Sequence, residues 1–222
     1  MEGRILVIEG LDGSGKETQS NILVERLKSE GIDAMKLSFP RYDEESSLFV
    51  KMYLNGEFGS SSNDINAYTA SLFFALDRYV SFKKWWVKEY SKGRLIICDR
   101  YTTSNAVYQM SKLSQSEWKD FFEWLSDFEY SKIGIPKPHG VIYLDVPPEV
   151  GASLMSDRYS GDNSQKDIHE KDIDYQKKCR EAALYCAETQ DWEIISCCSE
   201  TGMASIDEIA KSVYDRVIPM LL

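Results

Sequence analysis

Residues 3–19 read Gly-Arg-Ile-Leu-Val-Ile-Glu-Gly-Leu-Asp-Gly-Ser-Gly-Lys-Glu-Thr-Gln. A short apolar strand, Ile5–Ile8, runs into a glycine-rich turn at Gly10, Gly13 and Gly15, and a helical segment follows Lys16. Glycines let successive backbone N–H groups curl toward one centre, and the helix N-terminus adds positive potential. This is the layout of a phosphate-binding loop, with Lys16 reaching the β- and γ-phosphates of a nucleotide. Gly10, Gly15 and Lys16 satisfy G-x-x-x-x-G-K, with Asp12, Gly13 and Ser14 inside the span. The next position takes Ser or Thr in the usual pattern, to hold Mg²⁺. Here it is Glu17, and Thr18 comes one residue late. The competing reading is a β-to-α turn that binds nothing; strand, helix and lysine together argue against it.

Composition narrows the partners. The 222 residues carry 36 acidic against 26 basic side chains, a net charge of −10. That balance argues against nucleic-acid polymers and anionic membranes, but not against a small phosphorylated substrate met by a few arginines. No apolar run approaches the ~20 residues that span a bilayer. The chain enters a strand within three residues, so no secretory leader is expected. The five cysteines (Cys98, Cys179, Cys186, Cys197, Cys198) show no metal-ligand spacing, and their odd number suits a reducing cytoplasm.

Strand and helix patterns alternate from the loop onward. Strands are expected at Leu6–Ile8, Ala34–Phe39, Leu95–Cys98, Gly140–Val146 and Trp192–Ser196. Helices are expected at Glu17–Ser29, through Phe49–Tyr53, and over Leu72–Tyr90, Ser114–Tyr130, Asp172–Glu188 and Ser205–Val217. Ser114 with Glu117 three residues on spells a capping box. Solid apolar strands separated by helices imply a parallel sheet covered on both faces. The chain reads as one domain, 1–222. Residues 156–172 are too polar for a core and read as a lid over the site.

Three further clusters carry chemistry. Phe39-Pro40-Arg41-Tyr42 ends the second strand, at the edge that faces the ligand crevice in open α/β sheets. Arg41 can fork onto a phosphate there, or join a surface ion pair. Phe74 and Arg78 stand four apart on one helix face. They offer an aromatic platform and a bidentate donor for a nucleobase; the alternative is a core Phe74 with Arg78 bound to a carboxylate. Asp99-Arg100-Tyr101 follows the third strand, where phosphate-loop enzymes keep the acid that positions Mg²⁺. A strand-end salt bridge is the rival reading.

The motifs GLDGSGKETQ (10–19), FPRY (39–42), LFFALDR (72–78), DRYTTSNAVYQ (99–109) and GVIYLDVPPE (140–149), with DIHE (167–170), come in one order over nearly the whole chain. In this the chain resembles thymidylate kinase of the bacterial type. The resemblance implies that the loop, Gly10 to Thr18, binds ATP, and that Asp12 meets the 3′-hydroxyl of the acceptor deoxyribose. It implies that Phe74 stacks on thymine and that Arg78 reaches its 4-oxo group. Arg100 would bridge the acceptor phosphate and the transferring phosphoryl, with Phe39, Arg41 and Tyr42 nearby. Ser104 falls at the family's spacing, Asn105 and Gln109 approach the base edge, and Tyr108 packs where a ribose 2′-hydroxyl would need room. Asp99 would face the metal; Glu17 either joins it there or is a plain first-turn glutamate favoured by the helix dipole. The chain departs from the pattern at Glu17, and where many bacterial relatives carry arginine it has Leu154 and Ile168. That leaves Arg158, with Lys166 as a substitute, for the lid cation.

The expectation is therefore an α/β P-loop three-layer sandwich: a five-stranded parallel sheet, helices on both faces and a flexible lid. The expected activity is Mg²⁺-dependent phosphoryl transfer from ATP to dTMP, by a cytoplasmic homodimer with no nucleic-acid or membrane partner. Lys16, Arg100, Arg158 and Asp12 would carry the catalysis. The rivals are another nucleoside monophosphate kinase, acting on dUMP, UMP or CMP, and a nucleotide-binding paralogue that has lost turnover. His139 and His169 are expected to be structural or solvated.

Overall fold

The computed structural model describes residues 2–158, 169, 172–199 and 202–221, with backbone alone for 156–158. Five parallel strands form its centre: β1 (Arg4–Gly10), β2 (Ala34–Ser38), β3 (Leu95–Asp99), β4 (Gly140–Asp145) and β5 (Glu193–Ser196), in the order β2-β3-β1-β4-β5. In register, Ile8 lies beside Asp99, Ser38 beside Asp99, and Gly10 beside Leu144. The C-terminal ends of β1, β2 and β3 therefore finish together.

The period of two along each strand feeds two separate cores. Ile5, Val7, Ile96, Cys98, Val141 and Tyr143 point to one face and pack with Trp86, Phe121, Cys179 and Ala183. Leu6, Ile8, Ile97, Ile142 and Leu144 point to the other, against Leu23, Val24 and Leu27 of α1 (Lys16–Ser29) and Ile209, Val213 and Val217 of α9 (Ile206–Leu221). A fully buried side chain such as Leu27 contributes about 1.5–3 kcal/mol by leaving water.

The remaining helices are α2 (Leu48–Leu54), α3 (Ala67–Ser81), α4 (Val87–Ser91), α5 (Thr102–Tyr108), α6 (Trp118–Ser126), α7 (Pro148–Arg158) and α8 (Ile173–Thr189). The helix expected from Leu72 begins earlier, where the Asn66 side chain caps Thr69 N–H at 2.8 Å. It reaches α4 through a wide π-type turn, Phe82–Trp86, in which Trp86 is fully buried and its indole donates to Ser81 Oγ at 3.2 Å. The Ser114–Glu117 capping box forms, but it caps a short 3₁₀ turn leading into α6. A second π-type segment, Asp127–Ile133, follows and ends at Gly134 with φ 75°.

Helices α5 and α7 and a short strand pair were not expected. Helix α7 takes in the first three residues assigned to the lid; it has no apolar stripe, and its signal is only Pro148 at the first helical position. A two-stranded antiparallel pair joins β6 (Cys198–Ser199) to β7 (Gly202–Met203). Lys166 and Ile168 lie outside the described residues, as does the side chain of Arg158. The five cysteines are all free thiols.

Candidate active site

A cleft of about 550 Å³ opens at the C-terminal ends of β1, β2 and β3. The phosphate loop forms its floor. Gly13 and Gly15 adopt φ of 78° and 82°, a region that side chains other than glycine rarely enter. At Gly10 there is a further demand: an added Cβ would lie 2.5 Å from Ser14 Oγ and 3.0 Å from the Leu144 carbonyl. Gly13 is crowded as well, because its backbone touches that of Gly151 in α7. A Cβ on Gly13 would strike the Gly151 carbonyl, and one on Gly151 would come within 2.6 Å of the Asp12 carbonyl.

Lys16 is buried, and its Nζ donates to the Leu11 carbonyl at 2.6 Å. Burial, and then the charge of Arg100, lower its pKa to about 8; Asp12, Asp99 and Glu9 oppose that shift. Asp99, Glu17 and Thr18 line the cleft beside it.

Arg100 holds φ of 64°, a left-handed backbone that costs a non-glycine residue about 1–2 kcal/mol. Such strain is characteristic of functional positions. The conformation sends its guanidinium over the loop, where Nη2 donates to Asp12 Oδ1 and, at 3.3 Å, to the Tyr108 hydroxyl. Tyr108 in turn donates to Asp12 Oδ2 at 2.9 Å. Burial alone would raise the Asp12 carboxyl, but Arg100 and then Lys16 outweigh it and hold it below its usual value.

Glu9, not identified from sequence, lies beneath this group. It is fully buried and accepts from Thr103 Oγ1 at 2.6 Å, Ser104 Oγ at 2.8 Å and Gly10 N–H at 3.0 Å, with Arg100 Nη1 at 3.7 Å. Its signal in the sequence is a carboxylate ending an otherwise apolar buried strand.

The other side of the cleft is built by α3 and α5. Phe74 lines it and meets Tyr53 edge-to-face at 6.0 Å. Arg78 also lines it while gripping Glu129, with Nε donating to Oε2 at 2.7 Å and Nη2 to Oε1 at 2.5 Å. Asn105 Nδ2 donates to the same Glu129 Oε1 at 3.0 Å. Arg78 is thus bound to a carboxylate, one of the two readings of its spacing, while bordering the cleft, and Glu129 is a second acid that sequence did not reveal. Gln109 is different: both atoms of its buried amide lack a protein partner, and the residue lines the cleft. Buried amides are rarely left unmatched, which makes Gln109 a candidate contact residue of the cleft.

Phe39, Tyr42 and Ser104 line the cleft. Arg41 is not among the lining residues. Its guanidinium pairs with Glu44 at 3.5 Å and lies 5.3 Å from the Trp85 ring, while its N–H donates to Asp77 Oδ2 at 2.8 Å. Asp77 itself lines the cleft and was not anticipated. Leu154, Met155 and His169 complete the wall, whereas His139 is structural, with Nδ1 accepting the Ile5 N–H at 3.1 Å.

The chain is similar in sequence and in fold to known thymidylate kinases. The thymidylate kinase family model matches residues 8–206. A probable thymidylate kinase of Pyrococcus abyssi is 30% identical over 223 residues, covering 100% of this chain and 99% of its own length. A thymidylate kinase of Plasmodium falciparum is 33% identical, covering 86% and 80%, and one of Mycobacterium tuberculosis is 29% identical, covering 82% and 83%. Among solved structures, thymidylate kinase from Candida albicans superposes with a TM-score of 0.69 at 21% identity, over 98% of this chain and 92% of that one.

Proposed function

The chain belongs to the thymidylate kinase family and is an ATP-dependent dTMP kinase, forming dTDP and ADP in dTTP biosynthesis; we propose the following division of labour among its residues. The loop amides from Gly10 to Thr18 and Lys16 hold the ATP phosphates. Phe74 supports the thymine ring, and Arg78, Asn105 and Gln109 meet its polar edge. Asp12 takes the 3′-hydroxyl, and Tyr108 leaves no room for a 2′-hydroxyl. Phe39, Ser104, Arg41 and Tyr42 complete the acceptor side.

The transferring phosphoryl passes in line between two oxygens, so catalysis rests on positioning and charge neutralisation. Arg100 does both, because its strained backbone fixes it between loop and acceptor. A donor aimed at developing charge in this way is worth about 10²–10³ in rate. On the lid side the cation is Arg158, a reading that rests on sequence.

Magnesium fits the donor set: Asp99 and Glu17 line the cleft beside Lys16, and one or two carboxylates with substrate phosphates are its usual ligands. Asp99 and Glu17 would hold it there, and it would supply charge neutralisation to the nucleotide phosphates. The observation that carries the acceptor assignment is the Asp12–Tyr108–Arg100 cluster, which ties the phosphate loop to the α3 and α5 side of the same cleft.

The assembly is a homodimer formed through α3, where Tyr68, Leu72, Leu76 and Tyr79 lie exposed at helical spacing. Light scattering at micromolar concentration tests this. Free thiols suit a cytoplasmic setting, and among the described residues no helix is long and apolar enough to cross a membrane.

A coupled ADP-release assay across dTMP, dUMP, UMP and CMP decides the whole reading. Preference for dTMP is the expected result. Equal turnover of CMP points to a broader kinase, and ATP binding without turnover to a paralogue that has lost catalysis.

A further inference from the structure

Tyr108 is held from two sides. Its hydroxyl is bound by Asp12 and Arg100. Its ring is covered by the imidazole of His169, stacked at 5.5 Å between centroids and 13° between planes. His169 is buried and lines the cleft, so it forms part of the same wall.

A hydrogen-bond chain stands behind His169. Lys112 Nζ lies 2.8 Å from the Tyr53 hydroxyl and 3.1 Å from the Ile65 carbonyl. An ammonium only donates, so the Tyr53 oxygen accepts from Lys112. The Tyr53 hydroxyl proton is then directed to His169 Nε2, 2.8 Å away. This arrangement suits Nε2 as the acceptor of a neutral imidazole. Burial, followed by the charge of Lys112, brings the imidazole pKa down to about 3, in agreement.

The peptide of His169 is tied to the same cluster. Its carbonyl accepts from Gln176 Nε2 at 3.0 Å, and that amide nitrogen lies 3.4 Å from Asp12 Oδ2. Two routes thus run from His169 back to the Asp12–Tyr108 pair, one through the ring stack and one through Gln176.

We propose that His169 is a specificity-determining residue: a neutral imidazole, locked by the Lys112–Tyr53 chain, that presses Tyr108 into the position where it excludes a 2′-hydroxyl. A loose tyrosine would swing aside and admit a ribonucleotide; a stacked one resists. The inference rests on the assignment of Tyr108 to the acceptor sugar.

The test compares kcat/KM for dTMP and ribothymidine 5′-monophosphate, which differ only at the 2′ position. His169→Ala, which removes stack and hydrogen bond, is expected to lower the dTMP preference roughly ten-fold, the scale of coupling between contacting residues. Tyr53→Phe cuts the chain behind the imidazole and should lower the preference less. His169→Phe restores the stack and should recover most of it. ATP KM is expected to hold within about two-fold in all three, which separates this role from general loosening of the fold. If His169→Ala fails to fold, Tyr53→Phe and Lys112→Met carry the test. An unchanged preference in the folded variants overturns the role of His169. Loss of preference in the unmodified protein, or its persistence in Tyr108→Ala, overturns instead the placement of Tyr108 at the sugar.

Discussion

Glu129 and Arg78 form a closed pair: the carboxylate takes two hydrogen bonds from one guanidinium, and both side chains are sealed from solvent. Yet Arg78 also borders the cleft, so the side chain that closes a buried ion pair is also one the proposed base site would use. Glu129 sets the plane in which Arg78 presents its remaining donors.

Removing either partner is expected to give different results. Glu129→Ala strands a buried guanidinium and should cost about 3–5 kcal/mol, read as a fall in denaturant midpoint. Arg78→Ala should raise the KM for dTMP strongly while leaving ATP affinity within about two-fold. An Arg78→Ala variant with normal dTMP KM would remove it from the base site.

Arg100→Ala is expected to lower kcat by about 10²–10³, with smaller changes in either KM, because its contact matters most when charge develops between the phosphates. Steady-state kinetics at saturating ATP and dTMP reads this directly. A variant altered only in dTMP KM would make Arg100 a binding residue.

The depressed pKa of Lys16 has opposite consequences for binding and stability. As pH rises through about 8 the folded chain loses this proton, whereas the unfolded chain keeps it to about 10.5. The burial penalty on the ammonium, fully present below about 8, is relieved as pH climbs. The stability of the unmodified protein minus that of Lys16→Met should therefore rise between pH 8 and 10.5. ATP affinity should move the other way, flat to about pH 8 and weaker above it. Equilibrium unfolding and isothermal titration at several pH values check both signs.

Glu17→Gln should raise the Mg²⁺ concentration for half-maximal rate. A carboxylate beside a triphosphate is repelled unless a cation lies between them. An unchanged magnesium titration would leave Glu17 as a first-turn glutamate favoured by the helix dipole.

Arg158→Ala should lower kcat far more than it raises either KM, since an arginine neutralising this transition state can be worth orders of magnitude. If Lys166→Ala loses the rate and Arg158→Ala keeps it, the lysine carries that charge.

The phosphate loop and the sheet were legible because each is written in consecutive residues: glycines at fixed offsets, apolar runs bounded by turns. Asp99, Arg100 and Phe74 were found for the same reason, as strand ends and helical spacings place them. Glu9, Asp77, Glu129 and the place of His169 in the cleft wall were not. A carboxylate 51 residues from the arginine it binds leaves no local pattern. The tertiary contact alone distinguishes it from a solvated acid. Helix α7 escaped because its sequence has no apolar face, and its first turn is placed by backbone contact with the loop.

That contact, Gly13 against Gly151, has a mechanical meaning. Two peptide backbones meet there with no side chain between them, so the root of α7 bears on the phosphate loop as a shaft bears on its seat. Neither can tilt without moving the other. Whatever steadies the loop steadies the helix that carries Leu154 and Met155 into the cleft, and a single methyl group at either glycine would jam the joint.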